Sequence, residues 1–205
     1  MPSLTTLVDG TVPVANDFNG NFSALNAAIG TSTSISAWAI GEMPYASATN
    51  TLARLSPGAN GTYLSMASGI PAWTTGAWTS PAFSAGDYPA SGSMTWTVAS
   101  GDVISYSYLQ LGKTMFVEFN IQTTTVGGTP SNRLKIKIPN GQIAAKSTQF
   151  PIRTIDNNSA PASPGFAEIL AAGTTIDCCK DATQSNWSAS TDLTYVAGTA
   201  VFEVQ

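Results

Sequence analysis

The chain has 205 residues, a net charge of −4, and only 10% charged residues, against about 25% in a typical soluble domain. Its length gives a prior of about one to two domains. So little charge leaves a 21.2 kDa monomer weakly protected against association, which argues for permanent self-association. Lys and Arg never cluster beyond Arg133, Lys135 and Lys137, so the basic footprint of nucleic-acid binding is missing. No apolar run approaches the 18–20 residues of a membrane span, and no membrane insertion is expected. The opening MPSLTTLVDG has neither the charged nor the apolar region of a signal peptide, so synthesis in a cytoplasm, outside the secretory route, is expected.

Histidine is absent. That removes Ser-His-Asp and Cys-His nucleophile activation, His-based acid–base work and nearly all catalytic zinc sites. The two cysteines, Cys178 and Cys179, are adjacent. Neighbouring Cα atoms lie closer than a disulfide normally spans, so two reduced thiols are expected.

In chain order, residues 1–37 form an N-terminal anchor and linker. Phe18, Phe22, Leu25 and Ile29 are spaced 4, 3 and 4 apart, which makes one apolar stripe on a helix, like the seam of a coiled coil. Pro13 is placed to start this helix and Gly30 to end it. Asn19-Gly20 argues the other way as a hairpin-turn signal, although its neighbours do not alternate as strands do. A helix of about 16 residues is marginal alone, so the stripe needs copies of itself or another protein to bury it.

Residues 38–77 read as a turn-rich β module of very short strands: Met43–Tyr45, Leu52–Leu55, Tyr63–Met66 and Ala72–Trp73. Ser-Ala-Thr-Asn, Pro-Gly-Ala-Asn-Gly and Ser-Gly-Ile-Pro punctuate them. Strands this short cannot build an independent core; interleaving three chains would let them do so.

Residues 78–205 hold the only conventional core. VISYSYLQLGKTMFVEFNIQTT predicts two long strands joined by Leu-Gly-Lys. Met115, Val117, Phe119 and Ile121 alternate with polar positions, the half-buried antiparallel pattern. Leu134, Ile136 and Ile138 are expected inward, with Arg133, Lys135 and Lys137 outward. Further strands are expected at Phe150–Ile155, Gly165–Leu170, Thr174–Cys179, Leu193–Val196 and Thr199–Val204, and Gly127-Gly128 is expected to be a hairpin turn. The fold class is mainly β, ending in an antiparallel β-sandwich of jelly-roll type.

Four stretches carry a resemblance. Met43–Ser47, Asn50–Leu55, Pro57–Gly61, Tyr63–Ser65 and Pro71–Trp73 together resemble a recurrent module of bacteriophage tail-fibre and related virion proteins. Asp17-Phe18-Asn19-Gly20-Asn21-Phe22-Ser23-Ala24-Leu25 is similar to the helix that often opens such proteins. Tyr108 to Pro139, and the ending from Trp187 through Phe202-Glu203-Val204, look like a domain of phage fibre and appendage proteins. The resemblance implies a homotrimeric short fibre or appendage on head or tail of a virion, held to capsid or tail proteins and touching a host surface. Two alternatives stay open: a capsid decoration protein without receptor role, and a carbohydrate-binding attachment module recognising a host glycan.

No enzyme is expected. A glycosidase needs two carboxylates facing each other at about 5–9.5 Å. No spacing selects a pair among Asp87, Asp102, Glu118, Asp156, Glu168, Asp177, Asp181, Asp192 and Glu203. Asp156-Asn157-Asn158 lacks the Gly and distal Glu of a calcium loop and reads as a turn. No cofactor or metal site is expected. Trp78, Trp96, Tyr106, Tyr108 and Trp187 offer a sugar-stacking platform, though core or interface is the commoner use of such residues. Loops at one end of the β domain leave Asp156, Asn157, Asn158, Asn186 and Trp187 as the expected surface contacts.

Overall fold

The computed structural model describes Ser23 and residues 39–49, 51–161 and 163–205. The stripe residues Phe18, Phe22, Leu25 and Ile29 lie outside the described residues. The protein is mainly β and antiparallel. It divides into two compact units, residues 1–75 and 76–205.

In the first unit, β1 (Met43–Ala48) pairs with β2 (Thr51–Leu55), and β3 (Tyr63–Ala67) pairs with β4 (Ile70–Thr74). Each pair is a separate two-stranded sheet. The strands run longer than the sequence motifs suggest, because Ser68 (φ 53°) and Gly69 (φ 80°) turn β3 directly into β4. Two successive left-handed residues give the tight turn whose twist matches the flanking strands. Pro44 and Pro71 sit inside strands, which a two-stranded sheet tolerates because every strand has an open edge. Gly58 is small because Trp73 needs its space: a Cβ there would come within 2.6 Å of the indole. The Trp73 Nε1–H donates to the Ser56 carbonyl at 2.6 Å.

The second unit is one eight-stranded sheet. Its strands are β5 (Met94–Thr97), β6 (Val103–Leu111), β7 (Thr114–Gly128), β8 (Leu134–Lys137), β9 (Thr148–Ile155), β10 (Gly165–Ile169), β11 (Thr175–Cys179) and β12 (Ser190–Glu203). The order is β5-β7-β12-β9-β10-β11-β8, with β6 also paired to β7. The sheet nearly closes on itself. Just before β5, the Ser91 N–H donates to the Arg133 carbonyl at 3.0 Å and Pro89 accepts from the Lys135 N–H at 2.9 Å, so β8 meets the segment leading into the opposite end of the strand order.

The alternation read from the sequence sets the inside. Met115, Val117, Phe119 and Ile121 are buried, as are Leu134, Ile136 and Ile138, and they join Ile169, Ile176, Trp187, Val196 and Val204 in one core. Burying each large side chain contributes about 1.5–3 kcal/mol. Two strand expectations need correction. Leu193–Val196 and Thr199–Val204 are one continuous strand, β12, because Gly198 passes over the Phe119 ring and Ile152, where a Cβ would come within 2.6 Å of Ile152. Gly127-Gly128 is not a turn: it ends β7 and pairs with Thr95 and Met94. Gly128 sits at φ 70°, and a Cβ there would meet the Ser93 carbonyl oxygen at 2.3 Å. Both glycines serve close strand approach rather than chain reversal.

Candidate contact surface

The expected contact loops are built around a buried carboxylate. Asn157 (φ 49°) and Asn158 (φ 61°) are left-handed, a conformation Asn tolerates better than most residues. They turn the chain between Asp156 and Ser159, which bond each other's backbone. Asp156 points inward from this turn. Its Oδ2 accepts from Lys180 Nζ at 2.7 Å and from Ser188 Oγ at 2.9 Å, and its Oδ1 accepts from the Ser188 N–H at 2.9 Å. One carboxylate thereby ties the 156–159 turn to the 180–188 loop.

That loop is organised by a second carboxylate. Asp181 Oδ1 accepts from the Thr183 N–H at 3.0 Å, Thr183 Oγ1 at 2.9 Å and the Ser185 N–H at 3.0 Å. Slight burial pushes the Asp181 carboxyl up, but the hydrogen bonds from Ser185 and Thr183 outweigh it and leave it below its ordinary value. The loop then dives into the core at Trp187, which is 1% exposed. Its backbone N–H donates to Ser131 and its indole N–H donates to the Cys178 carbonyl at 3.3 Å.

Two expected surface residues are therefore corrected. Trp187 is a core side chain, because the loop carrying it folds inward against β11. Asp156 is an internal strut, because its charge is matched by Lys180. Asn157, Asn158 and Asn186 remain exposed. The expected stacking platform is not assembled either. Trp96 is buried and donates to Thr124 Oγ1 at 2.8 Å. Tyr106 and Tyr108 pack against the core, and Trp78 is exposed.

A different recess was missed. It measures about 340 Å³ and is lined by Ser80, Phe83, Tyr88, Ile104 and Tyr106, among others. Phe83 is exposed and its ring stacks on Tyr88 at 6.0 Å between centroids. Tyr106 Oη donates to the Lys137 carbonyl at 2.6 Å. Burial, with the neighbouring Asp87 carboxylate, pushes the Tyr88 phenol up to about 12. Phe83 lies in PAFSAGDYPA, where Pro and Gly mark turns but no periodicity marks a recess.

No protein-family model matches the chain, and a search of curated proteins found no match. The reading of this surface rests on its own chemistry. Across the outside of four strands, Gln149, Glu168, Asp177 and Lys135 align by register. Arg133 pairs with both Glu168 and Asp177, Lys135 Nζ reaches Asp177 at 2.8 Å, and Gln149 donates to Glu168 at 3.2 Å. Glu168 and Asp177 stand directly opposite each other on β10 and β11, and Arg133 bridges the two, with Lys135 on Asp177. Among the described residues, no three His, Cys, Asp or Glu side chains gather as a metal site needs. Cys178 and Cys179 are buried free thiols on β11, and burial pushes both up, Cys178 well above the ordinary range.

Proposed function

We propose that this chain is a structural component of a bacteriophage virion, a homotrimeric short fibre or appendage on head or tail that contacts the host surface, and not an enzyme. The observation that carries the reading is the first unit. Its described residues form two separate two-stranded sheets, and none of them is buried. Leu52 is 58% exposed, Met66 66% and Leu64 46%. A lone two-stranded hairpin is marginal at best in water, and large apolar side chains this exposed gain from being covered. Copies of the same module would supply the missing layer. The likeness to phage fibre modules in Met43–Trp73 supports the same answer, as does the low charge of the chain.

On this reading the second unit is a jelly-roll-like β-sandwich that projects from the particle. Support comes from a core fed by both halves of the strand order, Phe119 and Val196 from β7 and β12, Ile136 and Ile176 from β8 and β11. The non-enzymatic reading is supported by the absence of histidine and by the ion pairs that occupy Asp156, Glu168 and Asp177. The test is imaging of phage particles labelled with gold-bound antibody against this chain. Label at discrete points on the head or tail is expected; particles without label, from a lysate rich in the free protein, would refute the assignment.

A further inference from the structure

The outer face of the large sheet has an unusual distribution of charge. Met115, Val117, Phe119 and Ile121 point inward, so Phe116, Glu118 and Asn120 point outward, and residues directly opposite on neighbouring strands share their face. Register then lays out three outward rows. They are Leu109–Phe116–Val201, Ser107–Glu118–Thr199, and Ser105–Asn120–Ala197–Arg153. To these three rows the central strand of this face, β12, contributes Ala197, Thr199 and Val201, none larger than valine, with Tyr195 and Glu203 at the two ends of the same face. Val201 is 45% exposed.

Opposite charges flank that strand. Glu118 stands on β7 and Arg153 on β9, both exposed. Arg133, Lys135, Lys137, Lys146 and Lys180 each reach a carboxylate of this unit. Arg153, like Lys113, makes no ion pair with any described residue, and Glu118 accepts only a 3.4 Å hydrogen bond from Ser105 Oγ. The two strands are two spacings apart, about 10 Å, which holds the charges on opposite flanks of one chain.

We propose that this face is an interface between copies of the chain: three copies turn it toward a common axis with β12 innermost, and Glu118 of each copy pairs with Arg153 of the next. The proposal rests on the homotrimer reading above. A cyclic trimer joins two different surfaces of each copy, so it needs complementary flanks. An anion on one flank and a cation on the other meet that need, and small side chains between them allow close approach at the axis. The Leu109–Phe116–Val201 row supplies apolar surface beside the charged seam.

The test uses the full chain carrying Glu118→Cys and Arg153→Cys together, treated with a bismaleimide whose spacer matches the reach of a Glu–Arg pair, which exceeds that of a disulfide, and run on a denaturing gel. Covalently closed trimers are expected from the double variant and monomers from either single variant, the native thiols being buried. A double variant that light scattering finds trimeric but that gives no cross-link would overturn this interface while leaving the trimer standing. Covalent dimers alone would also overturn it. A monomeric wild-type chain would instead remove the trimer on which it rests. If the cysteine variant fails to fold, Glu118→Arg should lower the melting temperature of the trimer and Glu118→Arg with Arg153→Glu should restore it; no recovery would count against the pairing.

Discussion

At the scale of single residues, burial decides chemistry here. Cys178 and Cys179 stay protonated thiols because the core disfavours a thiolate. A thiol reagent at pH 8 should modify neither in the folded protein and both after unfolding; reaction of Cys178 in the folded state would contradict its burial. Tyr88 follows the same rule. Its folded value, about 12, lies above the ordinary value near 10, so the fold favours the neutral phenol. The stability this contributes is fully present below about pH 10 and is lost as pH rises toward 12. An absorbance titration should show Tyr88 ionising above the ordinary phenol range, with melting temperature falling across that window. Asp156 was legible as a turn residue because Asx types favour turns. Its inward ion pair with Lys180 was not, since nothing local marks which loop a side chain will meet. Asp156→Ala should cost about 2–3 kcal/mol in denaturant unfolding, because it strands a largely buried ammonium.

At the scale of elements, periodicity told the truth where a strand alternates strictly between apolar and polar residues. The alternation in Thr114–Ile121 and Leu134–Ile138 gave both the strands and their buried faces, because one face must meet a core. The glycine pair Gly127-Gly128 was misread, since the same residue that permits a turn also permits a tight crossing of strands. Gly128→Ala should destabilise the second unit by more than about 1 kcal/mol, combining a left-handed φ with a clash on the Ser93 carbonyl; an unchanged melting temperature would mean that β5 yields easily. Trp187 shows the limit from the other side. It lies in a Ser-, Thr- and Asn-rich stretch that reads as exposed loop, yet the loop tucks it beneath Cys178. Trp187→Ala is expected to cost about 3–5 kcal/mol.

At the scale of the whole molecule, the two units solve burial differently. Residues 76–205 enclose a core within one chain, whereas the hairpins of residues 39–75 bury none of their described residues. The sequence already carried this contrast in the apolar–polar alternation of Thr114–Ile121 and Leu134–Ile138, which the first region lacks. Partner geometry was out of reach, because the rows that set Glu118 beside β12 and Arg153 beyond it exist only once register is fixed. Light scattering of the purified full chain at micromolar concentration tests the trimer most directly. A particle of three times the 21.2 kDa chain mass is expected; a clean 21.2 kDa monomer would contradict it.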